Sequence, residues 1–558
     1  MLMAEPISLT KNGNKGLREK INNKIQNLRE VIAEKPRLSD FFQRLPLLAI
    51  LIIALFIRVF AARAAEGFVH PDEVFQSLEM IHYRLFGQFG SGETIPWEFN
   101  ENYDFGGARS WFFVMFLATF YKFLMALGVT DNLSLIFATR LFLALCSLIT
   151  VFVAYLFGRD IFNKKVGLIA AFLCAIWWFF PFWGSRTMTD SLASDLQFVS
   201  IYLTYKATKE NNTLTKSLQS FFAGIALGFA FMLRFPSGLL GFPLLAFLIT
   251  AMIREFKKRK EEKTATENKK TAKGVFYVVL PVLCFLGATT LMIIVQGLLD
   301  LFTWGNFLQA PINFFMYNIV EGNSAIHGVA PWYSYFVGFY TDFANGYILL
   351  FVLFLVIGLS FKEQQWAKIV FGAVFLFWLV IFTAIAHKEF RFIFILLPFS
   401  MIFVANGILK FAENFKKTST KRFSLTFILI LFCIASSMMA FYHQKYAWKA
   451  NSGICNAMYW VGKQEDAQRV IVFEMVWYTG GYAYLDKNIS CLFVRISSSS
   501  IPKYTYNSTT LRNLYSLNGT YALVREPELF LVQELLLSFN MTQVAIVGQL
   551  PNVYVFKQ

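Results

Sequence analysis

The feature that most constrains this sequence is a series of eleven apolar stretches, near 46–64, 135–157, 166–183, 191–205, 218–234, 238–253, 275–297, 346–360, 369–386, 392–409 and 423–441. A helix needs roughly 20 apolar residues to cross the hydrocarbon core of a bilayer, fewer where the ends are thinned. A soluble fold has no interior large enough for eleven such segments. Composition agrees. Of 558 residues, 56% are hydrophobic and 15% charged, against roughly 25% charged in soluble domains. Soluble, disordered and disulfide-scaffold classes are excluded, which leaves an α-helical, multi-spanning membrane protein.

Charge placement orients the chain. The net charge of +16 would suggest a nucleic-acid partner in a soluble protein, but Lys and Arg collect on the cytoplasmic side of membrane proteins. A further apolar stretch at 111–127 is read as an interfacial helix, because counting it as a span would place the basic segment 158–165 outside. With eleven spans, the inside segments 1–45, 158–165, 206–217, 254–273, 361–368 and 410–422 hold 31 of the 51 Lys and Arg. The outside loop 298–345 holds none in 48 residues. The N-terminal 45 residues are therefore expected in the cytoplasm. They precede the first apolar run, so that run reads as an uncleaved anchor. The run 254–273 reads as a solvated linker, and no nucleotide fingerprint occurs.

Residues 46–441 are then the membrane domain, with a first outer loop at 66–134, and 442–558 forms an outer tail. The tail contains "RVIVFEM", "SCLFVRI", "YALVRE" and "QVAIVG", β-branched runs of strand length, and reads as a small α/β domain. Asn488, Asn507, Asn518 and Asn540 begin N-x-[ST] glycosylation acceptors. Cys455 and Cys491 either pair as a disulfide in an oxidising lumen or remain separate buried thiols.

Polar groups at the outer edge are where chemistry is sought. "VHPDEVFQSLEM" places His70, Asp72 and Glu73 just after the first span. Two neighbouring carboxylates repel, which can raise one toward a useful general base; they equally suit a helix N-terminus. "TIPWEFNENYDFGGARSW" adds Trp97, Glu98, Asp104 and Arg109, and an aromatic ring beside a carboxylate can hold a sugar. In "SRTMTDSLA", Arg186 and Asp190 form either a helical ion pair or a phosphate-binding and substrate-orienting pair. Arg234 faces a similar choice. Asp300, Asn306, Asn313, Asn318, Asn323 and His327 lie among aromatics in a loop without a cation, a surface suited to neutral polyhydroxyl ligands. "AHKEFRFIFILLPF" groups His387, Lys388, Glu389 and Arg391 on the side where cations are scarce, which points to an anionic lipid phosphate. His70, Asp72, Glu73 and His327 lack the spacing of a metal site.

"HKEFRFIFILLP" is the most specific of these motifs, followed by "HPDEVFQS.E" with "WEF" and "ARS", then "SRTMTDSLA" and "D..TWG...P.NFF.YN...GN.A.HG..PW". In this order they resemble the multi-spanning mannosyltransferases of glycosyltransferase family 22, across roughly residues 66–400. The resemblance implies a GT-C fold of about eleven transmembrane helices in the endoplasmic reticulum membrane. It also implies dolichyl-phosphate mannose as donor and a lipid-linked glycan as acceptor. "HPDE.FQS" and "N.A.HG" look most like members adding the fourth, side-branch mannose of the GPI anchor, while "HKEFRF" fits third-mannose members equally well; an N-glycan precursor is the other acceptor. By the same resemblance Asp72 is the general base, with Glu73 holding the acceptor or tuning Asp72. Arg186, His387, Lys388 and Arg391 would meet the donor phosphate. His70, Trp97, Glu98, Asp190, Asn313, Asn318 and His327 would contact sugar. No cofactor, metal or nucleic-acid partner is expected; the lipid bilayer is a further partner, and the sequence names no protein partner. A polyprenyl-lipid transporter or an oligosaccharyltransferase-like enzyme are the alternatives. Transporters usually place polar groups near the midplane, whereas here they gather at the edge.

Overall fold

The computed structural model describes residues 38–264, 272–360, 364–494, 517–538, 540–548 and 551–558. Residues 1–49 and 50–558 are separate compact units. Of the first, only 38–49 are described, as the opening turns of the helix Leu38–Ala64. The later helices and the tail all belong to the second.

Among the described residues nine helices are long and apolar enough to cross a membrane, including Asn132–Ile161, Thr213–Leu233, Val275–Trp304, Gln365–Ala384 and Leu396–Glu413. The two other expected spans are helical but fall short. One breaks at Trp177, whose extended backbone separates Lys164–Ile176 from Phe179–Gly184. The other, Thr189–Lys209, carries Asp190, Asp195, Lys206 and Lys209. Side-chain oxygens start several of these helices where the loops end. Asp131 accepts from the Ser134 amide, Asn163 from Lys165 and Val166, and Asn212 from Thr215, each satisfying an orphan first-turn donor.

Loops expected on one side do share one end of the bundle. Arg391 meets Asp72 at 2.7 Å, Lys388 donates to the Ala330 carbonyl at 2.9 Å, Asn313 to Gly106 at 2.8 Å and Arg186 to Ala447 at 2.8 Å. At the other end the Tyr202 hydroxyl donates to Asp160 at 2.9 Å and Trp366 to Thr208 at 3.1 Å. The 15-residue helix Phe112–Ala126 begins and ends at the first of these ends. Trp304 donates to the Arg109 carbonyl before it, and Tyr459 to Asp131 after it. It does not cross.

Helices Ile348–Ser360 and Leu396–Glu413 touch backbone to backbone. A Cβ on Gly407 would sit on the Phe354 carbonyl oxygen, and one on Gly358 on that of Phe403. The approach lets Asn406 donate to the Gly358 carbonyl at 3.0 Å. Small residues serve this purpose in membrane bundles, where close packing replaces hydrophobic expulsion.

The tail is a five-stranded mixed sheet ordered β2-β1-β3-β5-β4, with β1 Arg469–Val472, β2 Ser490–Phe493, β3 Thr520–Arg525, β4 Thr542–Val547 and β5 Val553–Lys557. The four sequence runs supply β1 to β4; β5 is an addition to them. Strand alternation divides the faces. Ile471, Ala522, Val524 and Phe556 pack on the helix Leu529–Ser538. Val470, Val472, Leu523 and Val555 join Ile454 and Met458 of the helix Ser452–Gly462, and with them Phe75, Met80 and Ile81 of the first outer loop. The tail thus shares a core with that loop. Cys455 and Cys491 are both free and separately buried, correcting the disulfide alternative. Cys455 lies beside Arg140 and Tyr484, whereas Cys491 lies near Glu79. Asn488, Asn518 and Asn540 are exposed; Asn507 lies outside the described residues.

Gly407→Leu should destabilise the bundle by about 1–3 kcal/mol or more, since the helices must separate to admit the side chain. Thermal unfolding in detergent reads this, and an unchanged midpoint would refute the contact.

Candidate active site

Just past the first span, Pro71 starts a helical turn, and Val74–Leu78 continues it as a π-helical segment. Successive side chains on such a turn point about 100° apart. Asp72 and Glu73 are adjacent in sequence but face different surroundings.

Glu73 turns inward and is fully buried. Its Oε1 accepts from the Val69 amide at 2.7 Å and the His70 amide at 3.2 Å, and its Oε2 lies 3.6 Å from Arg186 Nη1. Arg186 is equally buried, donates to the carbonyls of Ala447 (2.8 Å) and Trp448 (3.3 Å), and stacks on Phe182. Burial lowers the pKa of its guanidinium against the pull of Glu73. Two expectations are corrected. Arg186 and Glu73 are both placed in the interior rather than at the open end where donor phosphate and acceptor are expected to meet them; together they lock the first loop against 447–448.

Asp72 turns toward the open end. Its Oδ2 receives Arg391 Nη1 at 2.7 Å, and its Oδ1 is 3.4 Å from His70 Nδ1. Burial alone would raise its pKa, but Arg391 and then His70 outweigh that and hold the carboxyl well below the ordinary range. Repulsion from Glu73, expected to raise it, does not operate.

Arg391 is the centre of the cluster. Besides Asp72 it meets Glu389, with Nε to Oε2 at 2.7 Å and Nη2 to Oε1 at 3.0 Å, and Asp190 at 3.5 Å. Asp190 also pairs with Arg234, which lies over Phe392. Glu389 in turn contacts His387 Nε2 at 2.8 Å and His70 Nε2 at 3.2 Å. Burial raises and these cations lower the Glu389 pKa, and the cations prevail. Its motif alone assigns Glu389 no role; the signal in the sequence is its place between two cations. Lys388 spends its donors on the Ala330 (2.9 Å) and Ile385 (2.6 Å) carbonyls, clamping loop 298–345 over the site.

That loop forms the other wall. Trp97 stacks on Tyr317 with ring centroids 3.9 Å apart, and Tyr317 lies 3.4 Å from His327 Nε2. His327 faces the His387 ring at 6.1 Å. Glu98 accepts from Gln76 at 2.8 Å and sits 4.0 Å from Arg109; burial raises its pKa more than Arg109 lowers it. Asn313 and Asn318 bond to the Gly106 and Phe314 carbonyls, so their amides brace the wall. Among the described residues no three His, Cys, Asp or Glu side chains converge so as to hold a metal ion.

The site is a buried ion network opening beside aromatic rings at one end of a helical membrane bundle. That architecture is the GT-C fold. A solved structure of ArnT from Cupriavidus metallidurans bound to undecaprenyl phosphate superposes with TM-score 0.55 over 91% of this chain and 97% of that one, at 11% identity. The chain belongs to the Alg9-like mannosyltransferase family, whose model matches residues 49–485, and is therefore a glycosyltransferase rather than a transporter. Relatives include mannosyltransferase APTG1 of Arabidopsis thaliana, 25% identical over 81% of this chain and 78% of that protein. GPI alpha-1,2-mannosyltransferase 3 of Xenopus laevis is 24% identical over 73% of this chain and 67% of its own length. GPI mannosyltransferase 4 of Candida albicans is 24% identical over 61% and 64%.

Removing one partner of a buried pair strands the other charge, typically at about 3–5 kcal/mol. Arg186→Met should therefore lower thermal stability sharply, and adding Glu73→Gln should restore part of it; strictly additive losses would refute the pairing. His70 gives a pH signature. Burial and Arg391 push its pKa down, but Asp72 and Glu389 more than compensate, raising it from 6.5 to about 9. Its contribution, up to about 3 kcal/mol, is full below pH 6.5 and lost as pH rises through 9. Unfolding midpoints of wild type should fall across that window relative to His70→Gln; parallel curves would refute the assignment.

Proposed function

We propose that the chain transfers mannose from dolichyl-phosphate mannose to a hydroxyl of a GPI-type glycolipid, forming an α1,2 link with inversion at the anomeric carbon. The observation that carries this reading is the Asp72 carboxylate, mostly buried but 18% exposed, held between Arg391 and His70 at the open end of the site. Its depressed pKa keeps it ionised, as a base must be.

The acceptor hydroxyl gives its proton to Asp72 while its oxygen bonds to the anomeric carbon. The bond from that carbon to the phosphate oxygen breaks, and the electron pair leaves with dolichyl phosphate. Charge growing on the phosphate is met by Arg391 and His387, while Lys388, its donors held by backbone carbonyls, fixes the loop beside them; preorganised charges of this kind are usually the largest catalytic contribution. A phosphate competing for Arg391 would also weaken its hold on Asp72, raising the carboxylate's proton affinity as the donor arrives. Trp97 and Tyr317 offer ring faces to a sugar. The basic inner segments and the exposed sequons support an endoplasmic reticulum membrane location with a cytoplasmic N-terminus and a luminal tail.

A GPI precursor is favoured as acceptor because the relatives that name an acceptor name that pathway. Most of the numbered relatives are named mannosyltransferase 3 and one is named 4, whereas "HPDE.FQS" favours the fourth-mannose enzyme.

The test is purified protein with radiolabelled dolichyl-phosphate mannose, dimannosyl and trimannosyl GPI lipids, and an N-glycan precursor, with and without EDTA. Transfer to the trimannosyl lipid that survives EDTA supports the fourth-mannose reading; transfer to the dimannosyl lipid moves the enzyme one step earlier. Asp72→Asn should cut turnover by about 10²–10⁴-fold with donor binding retained. Near-normal turnover in that variant would remove Asp72 from the role of base.

A further inference from the structure

A second concavity lies on the other face of the loop that carries Trp97 and Glu98. Its volume is about 570 Å³, within the roughly 300–1,000 Å³ typical of small-molecule sites. Trp97 and Glu98 turn toward Tyr317 and Gln76, but the next residues line this second space. Trp111 and Trp304 form its floor, with ring centroids 5.7 Å apart, and Tyr83 lies nearly parallel to Trp111 at 6.3 Å. Gln88, Ser91 and Asn102 are exposed around it.

The lining selects a ligand class. Trp111 and Trp304 are largely buried beneath it, but Phe302, which also lines the space, is exposed; an aromatic surface beside amides and hydroxyls suits rings that are apolar on one side and carry hydroxyls around the edge. The charged lining residues, Arg84 and Glu101, are opposite in sign, so neither an anion nor a cation is favoured. A lipid tail would leave the amides unpaired, at a cost for each.

The cavity is also mechanically joined to the active site. Trp304 Nε1 donates to the Arg109 carbonyl at 3.2 Å, and Arg109 pairs with Gln76 and Glu98 on the opposite face. One stretch of chain is therefore the shared wall of both spaces.

We propose that this cavity is a second glycan subsite, holding neutral hexose units of the acceptor remote from the reacting hydroxyl. The assignment rests on the transferase reading above and adds where acceptor length is sensed.

The test uses full-length protein in nanodiscs and a soluble α-linked mannotriose, with binding followed by saturation-transfer NMR and kinetics measured with the glycolipid acceptor. Ser91→Trp fills the cavity, and the double variant Gln88→Ala/Asn102→Ala removes its exposed amides. Both should reduce mannotriose saturation several-fold. Both should also raise the acceptor KM about tenfold, the scale of about 1.4 kcal/mol, while kcat and donor KM stay within twofold, the mark of binding lost equally from ground and transition states. Asp72→Asn should abolish turnover yet bind mannotriose normally. Should Ser91→Trp fail to fold, the double variant decides alone. Undiminished mannotriose binding, or an unchanged acceptor KM, in a folded variant overturns the subsite. If no acceptor is mannosylated but mannotriose binds and the variants lose it, the subsite stands and the proposed donor and acceptor fall.

Discussion

The outer end of this protein depends on the ion pairs made by Arg391. One guanidinium meets carboxylates from three segments of the chain: Asp72 after the first span, Asp190 at the start of Thr189–Lys209, and Glu389 two residues away. Burial would lower its pKa, yet the carboxylates raise it far above the ordinary value. In a partly dry setting such a charge cannot be left unmatched. The cost of separating these groups therefore holds the loop 385–395 against the first loop, and Lys388 and His387 draw loop 298–345 into the same assembly through the Ala330 and Gly328 carbonyls.

A second set of contacts keeps the assembly still. Glu73 and Arg186 fasten the first loop from beneath. Arg140 donates to the Ala65 and Gly67 carbonyls and at 3.1 Å to the Tyr484 hydroxyl, and Glu79 accepts from the Ala483 amide at 2.7 Å. The tail therefore works as a brace as well as a covering domain, since residues 481–485 close over the helix that comes after Asp72. Rigid support behind the reacting groups is what keeps a site within the fraction of an ångström that catalysis requires.

How much of this is legible in the sequence depends on the physical origin of each feature. Helix number and the pairing of loop ends rest on hydropathy and charge, which are local, so the shared end of "HPDE" and "HKEFR" can be read from residues alone. Trp97 and His327, far apart in sequence, both lie beside Tyr317. Side-chain direction at a helix start is different. Asp72 and Glu73 look equivalent as letters, and the turn at Pro71 sends one outward and the other into the core. Arg186 looks like a surface cation because its loop is polar, but three backbone carbonyls and Glu73 await it inside. The strand β5 escapes sequence reading because "VYVFK" is five residues long and acquires its meaning from its partners β3 and β4. Cys455 and Cys491 fall in one small domain, yet on the helix Ser452–Gly462 and strand β2, where each is packed apart.

The loop 97–111 shows how chemistry and recognition can be coupled without a moving part. Its residues alternate between two surfaces: Trp97 and Glu98 face the ion network, Phe99 and Trp111 the aromatic floor, and Arg109 joins the two through Gln76 on one side and Trp304 on the other. A ligand bound in the proposed subsite would press on atoms that also fix Glu98, a largely buried carboxylate whose raised pKa already responds to Asp72 and Arg391. Binding energy gained far from the reacting bond then has a short covalent route to the groups around it, which is how remote substrate contacts come to be spent on orientation. If the second cavity holds glycan as proposed, aromatic residues whose sequence context suggests sugar contact or interfacial anchoring would take a third role, as the partition between that cavity and the ion network.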